Sequence, residues 1–246
     1  MRDAKRLFEG YQKFRAETFL PQQKIFENLA RHGQRPHTMV IGCCDSRVDP
    51  TAVFNAGPGE LFVMRNVANL VPPYEPQGEF HGTSAAIDFA VNGLGVEDIV
   101  ILGHAGCGGI KAYLDGMYDP DKGGGAFIQK WMSLLRAARG TVVANNPGQA
   151  PEILQRELEQ AGVVSSLGNL MSFAFVTERV AAGTLAIHGA YFDIATGDLQ
   201  AYDRKVRRFE SLTDDKIITA HLERPPGPGE SREPGSMSPR SWLDRA

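Results

Sequence analysis

The chain has 246 residues, of which 42% are hydrophobic and 22% charged, and a formal net charge of -3, all ordinary values for a globular protein. This balance excludes the basic surface typical of nucleic-acid binding, so we expect no nucleic-acid partner. No apolar run approaches the roughly 20 residues of a membrane span, and three cysteines favour a reducing compartment over a disulfide framework, so we expect a cytoplasmic protein with no membrane partner.

Residues 1–33 are predicted to be helical and to precede the first strand. Leu7 and Phe14 lie at helical spacing within this segment. Pro21 is expected to open a second helix, and Gly33 is expected to end it. Because these helices have no strand of their own to cover, the sequence alone predicts a local cap on the core.

Predicted strands and helices then alternate along the chain. Strands are expected at residues 38–43, 61–64, 98–103 and 184–189. Helices are expected after Asp49, over residues 83–94, from about residue 108, and over residues 126–140 and 148–182. Such alternation is typical of an α/β domain with a mostly parallel central sheet and flanking helices. Two short strands at residues 190–194 and 199–203 predict a hairpin at the C-terminal edge of the sheet.

The last part of the chain differs in composition from the rest. Residues 1–222 can form a single domain, because a chain of this length buries one large core. In residues 223–246, five prolines and three glycines lie among charged residues. This composition predicts a disordered tail.

Two short segments that follow predicted strands carry metal-binding side chains. Cys43 ends the first strand, and His104 and Cys107 follow the strand at residues 98–103. The carboxyl ends of parallel strands are where α/β sheets place their sites. Two thiolates and one imidazole suit zinc, and three protein ligands leave a position for water, as in catalytic zinc sites. The sequence therefore predicts one zinc ion per chain.

The neighbouring Cys44 is predicted not to bind this metal. If the chain stays extended, side chains alternate between two faces, so Cys43, Asp45 and Arg47 share the metal side. Cys44 is then expected to be a small buried residue. On the metal side, Asp45 can accept a hydrogen bond from the attacking hydroxide, and Arg47 can orient Asp45 and keep it ionised. The alternative for this pair is a purely structural ion pair.

The two motifs together resemble one known family, the β-class carbonic anhydrases. The motifs are C-x-D-S-R beginning at Cys43 and H-x-x-C-G-G beginning at His104, and similar stretches occur at residues 59–69 and 185–189. The resemblance runs from about Gln34 to Asp198. It implies a zinc-dependent lyase that catalyses the reversible hydration of carbon dioxide to bicarbonate and a proton.

Further site residues are implied by this resemblance alone. Gln34 matches an amide that hydrogen-bonds the substrate, often from the neighbouring subunit. Phe62, Val67 and Phe89 match the apolar lining of the substrate pocket, and Gly108 lets the backbone approach the metal site closely. The N-terminal helices match an arm that wraps a partner subunit, so we expect a homodimer or a higher homo-oligomer.

Two positions differ from a branch of the family that bicarbonate inhibits. Val40 stands where that branch has tryptophan, and Ala190 stands where an aromatic residue is common. The Ala190 difference removes one wall of an accessory anion pocket. Because Val40 replaces the tryptophan of that pocket and Gln34 matches a branch whose site stays open, we predict that Asp45 stays paired with Arg47 and does not move onto the metal.

Three other functions are compatible with parts of this pattern. Carbon disulfide or carbonyl sulfide could be hydrolysed at the same zinc, and the sequence does not separate these reactions. A non-catalytic zinc protein would not need Asp45, Arg47 or Gln34. A redox role for the adjacent cysteines is disfavoured, because adjacent cysteines rarely bridge and no Cys-x-x-Cys motif is present.

Overall fold

The computed structural model describes residues 2–77, 81–118 and 126–212, and the predicted tail at residues 223–246 lies outside the described residues. The α-helices are α1 (Arg2–Phe14), α2 (Gln23–His32), α3 (Pro50–Val53), α4 (Gly82–Asp88), α5 (Gly108–Leu114), α6 (Ala126–Met132), α7 (Arg136–Asn145), α8 (Pro151–Leu170) and α9 (Ala174–Ala181). The strands are β1 (Thr38–Cys43), β2 (Leu61–Asn66), β3 (Asp98–His104), β4 (Ala186–Phe192), β5 (Leu199–Asp203) and β6 (Arg208–Ser211). Short π-helical segments, Arg15–Phe19 and Phe89–Leu94, continue α1 and α4.

The six strands form one sheet in the order β2-β1-β3-β4-β5-β6. The first four strands are parallel, and β5 and β6 are antiparallel. β1 and β3 lie at the centre and are almost wholly buried, as apolar β-branched runs between two helical layers should be. The predicted α/β class with a mostly parallel sheet is confirmed.

The C-terminal edge differs in extent from the prediction. Residues 184–194 were expected to form two strands, but β4 is a single strand that pairs with β3 along its whole length. Its last residues, Ala190–Phe192, also pair with β5 on the other side. β6 forms the outer edge and was not predicted, because a short strand with charged residues at alternate positions carries little hydrophobic signal.

Helix α8 lies unusually close to the sheet. A Cβ atom placed on Gly103 of β3 would lie 2.5 Å from Val163 Cγ2, and one placed on Gly189 of β4 would lie 2.9 Å from Val163 Cγ1. Only residues without a side chain permit this approach. The two glycines therefore determine how closely α8 packs on β3 and β4.

The N-terminal helices leave apolar side chains exposed. Pro21 lies in the turn before α2, which begins at Gln23, and Gly33 ends that helix with a φ of 77°. In and around these helices the exposed apolar side chains are Leu7, Phe8, Tyr11, Phe14, Leu20 and Ile25. A local cap would bury such residues, so the structure does not support the cap that the sequence alone predicted. No helix in the described ranges is long and apolar enough to cross a membrane.

Candidate metal centre and active site

Cys43, His104 and Cys107 meet at the carboxyl ends of β1 and β3. Their ligand atoms lie within 4.8 Å of one another, and all three residues are buried. His104 Nδ1 donates to the Ala105 carbonyl at 3.0 Å, which leaves Nε2 facing the sulfur atoms. Within the described part of the chain, Nε2 is buried without a hydrogen-bond partner. A backbone partner on one imidazole nitrogen and a bare second nitrogen are typical of a metal-ligating histidine.

The thiols of Cys43 and Cys107 lie close enough to shift each other's pKa in opposite directions. A hydrogen bond from Cys107 lowers the pKa of Cys43 to about 4. The same bond, together with burial, raises the pKa of Cys107 above its ordinary value. A metal ion that displaces the thiol protons would be bound by two thiolates and one neutral imidazole, so the donor set fits zinc.

Asp45 and Arg47 lie beside the cluster and are bonded to each other. Arg47 Nε donates to Asp45 Oδ1 at 2.9 Å, and Arg47 Nη2 donates to Oδ2 at 2.7 Å. These hydrogen bonds hold the pKa of Asp45 well below its usual range. Asp45 Oδ2 is 3.9 Å from His104 Nε2, which places an ionised carboxylate next to the metal ligands. The predicted pairing of Asp45 with Arg47 is present.

The predicted environment of Cys44 is wrong. The side chain is exposed, because β1 ends at Cys43 and the chain then turns instead of remaining extended. In that turn Val48 N donates to the Asp45 carbonyl, and Arg47 N donates to Asp45 Oδ1. The turn brings the Arg47 side chain onto the Asp45 carboxylate beside the cluster.

Arg65 anchors this turn and was missed by the sequence reasoning. Its guanidinium donates to three carbonyl oxygens, those of Cys43, Asp45 and Val48, and to Asp49 Oδ2. Arg65 is on β2, whose last residue pairs with Cys43. The signal in the sequence was a charged arginine inside the strand that pairs with β1. We call residues 43–49 and Arg65 the Cys43 side of the site.

Helix α8 supports the other cysteine. Glu159, which is 2% exposed, accepts a hydrogen bond from Cys107 N at 2.8 Å. Gln155 Nε2 and the Tyr191 hydroxyl donate to the same carboxylate at 2.8 and 2.7 Å. Burial and this bond raise the pKa of Tyr191, which keeps the hydroxyl protonated as a donor. We call residues 104–107 and these three supporting side chains the Cys107 side of the site.

A comparison with protein families identifies this arrangement. The family model described as carbonic anhydrase matches residues 38–199, which include all three candidate ligands. The chain belongs to the β-carbonic anhydrase family. The match spans the strands and helices that position the site, so the predicted family and the prediction that the chain is an enzyme are confirmed.

Individual β-carbonic anhydrases are similar over most of their length. Beta carbonic anhydrase 3 of Arabidopsis thaliana is 33% identical over 200 residues, which cover 80% of this chain and 76% of the plant protein. The structure of the β-carbonic anhydrase CcaA has a TM-score of 0.79 at 31% identity and covers 87% of this chain and 94% of its own. A β-carbonic anhydrase of Sordaria macrospora, described as tetrameric, has a TM-score of 0.69 at 27% identity, with coverage of 87% and 98%.

The structure divides the predicted pocket residues of this enzyme into two groups. Val67 follows the end of β2 beside Cys43 and packs on the start of α5, because a Cβ on Gly109 would lie 3.0 Å from Val67 Cγ1. Gly108 directly follows Cys107 and begins α5. Both residues therefore lie at the metal end of the sheet.

The second group lies at the opposite end of the sheet. Gln34 precedes β1 and is exposed, and Phe62 pairs with Met39 near the start of β1. The rings of Phe62 and Phe89 are in contact, with centroids 5.8 Å apart. At about 3.3 Å per residue, β1 separates Thr38 at its start from Cys43 at its end by about 16 Å. Within one chain, the strand pairing places Phe62 away from the Cys43 cluster, and Gln34 precedes the end of β1 that is farther from this cluster.

Proposed function

We propose that this enzyme catalyses the reversible hydration of carbon dioxide at one zinc ion held by Cys43, His104 and Cys107. The observation that carries the proposal is the ionised Asp45 carboxylate beside a buried cluster of two sulfur atoms and one imidazole nitrogen. When bound there with an open coordination position, zinc supplies a Lewis acid that activates water near neutral pH. Family membership supports the same reaction.

Asp45 and Arg47 would orient the reacting groups. An ionised carboxylate only accepts hydrogen bonds, so Asp45 can take a hydrogen bond from the attacking oxygen and direct its lone pair toward carbon dioxide. Arg47 Nη2 also donates to the Gly106 carbonyl at 2.9 Å. This bond links the turn that carries Asp45 to the loop that carries Cys107, so it limits the movement of the carboxylate relative to the metal ligands.

The test combines metal analysis with two rate measurements on the same preparation. We expect one zinc per chain and rapid hydration of carbon dioxide in a stopped-flow assay. Release of hydrogen sulfide from carbonyl sulfide and carbon disulfide is measured in parallel. If turnover of either sulfur compound exceeds that of carbon dioxide, the alternative hydrolase function replaces this proposal, and a zinc-loaded protein inactive on all three substrates contradicts both.

We further propose that the enzyme is at least a homodimer whose active site is completed by a second copy. The separation of Gln34 and Phe62 from Cys43 along β1 supports this assembly, as do the exposed apolar residues of α1. We expect light scattering at micromolar concentration to give at least twice the chain mass. Replacing both Leu7 and Phe8 by serine should lower that mass, whereas Lys24→Ser, on the exposed surface of α2, should not.

A complementation experiment tests whether Gln34 acts across the interface. The Gln34→Ala and His104→Ala variants should each lose most activity. In a mixed dimer, the intact metal ligands of the first variant would face the intact Gln34 of the second, so mixing should restore one working site. If mixing restores no activity although mixed dimers form, Gln34 does not act in trans.

We also propose a cytoplasmic location. All three cysteines are free, and the proposed ligands must stay reduced to bind zinc, which a reducing compartment ensures. Fractionation of the source cells with an antibody against the chain tests the location, and recovery from a secreted or membrane fraction would contradict it.

A further inference from the structure

Glu159 carries a carboxyl group that is almost completely buried beneath the Cys107 loop. Carboxylates are rarely found at 2% exposure, because removing the charge from water is costly unless hydrogen bonds replace the lost hydration. Three donors surround this one, namely the Cys107 peptide N–H, the Gln155 amide and the Tyr191 hydroxyl. A carboxylate is the side chain that only accepts hydrogen bonds, so Glu159 suits a site made of donors.

The same face of α8 also reaches the other polar group of the Cys107 peptide unit. Gln155 Nε2 lies 3.4 Å from the Cys107 carbonyl oxygen, while Glu159 binds the Cys107 N–H. Residues 155 and 159 are four apart in one helix and therefore lie on one face. Both backbone groups of a proposed metal ligand are thus bonded to side chains of a single helix.

The position of that helix is itself determined by the sheet. Val163, the next residue on the same face, occupies the space above Gly103 and Gly189. Glu159 lies one turn away from this close contact, so its backbone is held in place relative to β3 and β4. The hydrogen bond to Cys107 therefore connects the proposed metal ligand to a closely packed part of α8.

We propose that Glu159 is a positioning residue for the metal, acting through the Cys107 peptide. By holding the N–H of Cys107, it places the sulfur at the distance from Cys43 and His104 that zinc requires. This inference rests on the proposed zinc site and adds a residue to it. Glu159 touches neither substrate nor metal, so its effect is expected on metal retention and ligand geometry before chemistry.

Two substitutions of Glu159 distinguish the effect of side-chain length from the effect of negative charge. Glu159→Asp keeps the charge but shortens the side chain by one methylene, so the acceptor withdraws from Cys107. Glu159→Gln keeps the length and the acceptor oxygen toward Cys107, and its amide can donate to Tyr191, whose hydroxyl can reverse its role. Glu157→Gln, on the exposed face of α8, is the matched control.

The experiment measures the rate at which a chelator removes zinc from each purified holoenzyme, together with the thiolate-to-metal charge-transfer spectrum of the cobalt-substituted proteins. Supporting residues of metal ligands typically change metal affinity by about 10- to 100-fold. We expect Glu159→Asp to lose zinc about 10-fold faster or more, with an altered cobalt spectrum. We expect Glu159→Gln to stay within about threefold of wild type and Glu157→Gln to match it.

Each other outcome overturns the proposal. If Glu159→Asp keeps the wild-type rate of zinc loss and the wild-type cobalt spectrum, the length of the side chain has no effect on the metal site. If Glu159→Gln is impaired as much as Glu159→Asp, or more, charge and not position is the contribution of Glu159. If Glu159→Asp unfolds at lower temperature but shows the wild-type cobalt spectrum, its role is structural. If the wild-type chain binds no zinc, the proposed function fails and this inference fails with it.

Discussion

The two sides of the candidate metal centre differ in their exposure to solvent and in the charge of their hydrogen-bonding groups. The Cys43 side is a turn near the surface, in which Arg47 and Arg65 bind a carboxylate and several carbonyl groups. The Cys107 side is buried, and neutral donors surround the carboxyl group of Glu159. Both sides carry a cysteine at the end of a central strand, yet only the Cys43 side exposes charged groups to solvent.

This difference suggests that the two sides have different roles in the enzyme. Groups that must meet water and substrate belong on the Cys43 side, where Asp45 is ionised and partly accessible. Groups that determine ligand geometry belong on the Cys107 side, where a close-packed helix limits movement. Changes to Asp45 or Arg47 should therefore affect turnover, and changes to Glu159 should affect metal retention.

The largest expected effect is loss of the metal itself, which tests whether each side supplies one cysteine. Cys43→Ser and Cys107→Ser should each abolish stoichiometric zinc binding, because a hydroxyl is a poor ligand for zinc compared with a thiolate. Cys44→Ser should keep one zinc per chain, since the Cys44 side chain is exposed. Metal analysis of the purified variants measures this, and retention of zinc by Cys43→Ser with loss in Cys44→Ser would reverse the assignment.

A change confined to the chemistry of the Cys43 side should lower turnover and spare the metal. Asp45→Asn is expected to retain zinc and lose at least about 100-fold in kcat, the usual scale for such a partner. Because Arg47 depresses the pKa of Asp45, the carboxylate is already ionised above about pH 5, and the ratio of wild-type to variant activity should stay constant between about pH 6 and 8. Near wild-type turnover would make the pair purely structural.

Loss of the anchor on the Cys43 side should have a smaller effect on the fold. Arg65→Met removes charged hydrogen bonds to the Cys43 turn and should lower the free energy of unfolding by about 2–3 kcal/mol. Denaturant unfolding of the zinc-loaded protein measures the change, and Lys205→Met, at an exposed loop position, is the control. Equal stability of the two variants would show that the turn holds without Arg65.

The smallest expected effect comes from the packing beneath the Cys107 side. Gly103→Ala places a methyl group against Val163 and should cost about 1–3 kcal/mol of unfolding free energy. Adding Val163→Ala to that variant removes the opposing side chain and should recover part of the loss. If the double variant is less stable than the sum of the single changes predicts, the contact between Gly103 and Val163 does not determine the distance between α8 and the sheet.

Local signals in the sequence predict the strands and the ligands well. The apolar run at residues 38–43 is typical of a strand buried on both faces. A parallel sheet brings its end next to the end of β3, where His104 lies and Cys107 follows. The family resemblance was correct because its motifs lie within these few residues. The C-terminal edge was predicted less completely, since β6 is defined by its pairing with β5 and has little pattern of its own.

The amino-acid sequence by itself therefore determined the class of fold, the family and the three candidate ligands, because each is marked by short motifs and by periodicity within single segments. Tertiary structure alone decided the exposure of Cys44, the anchoring by Arg65, and the support of Cys107 by Glu159, which is 52 residues away in sequence. It also decided that Gln34 and Phe62 lie at the far end of β1 from the metal ligands. A hydrogen bond between distant segments depends on how helices and strands pack, and periodicity along one segment carries no information about the element that packs against it.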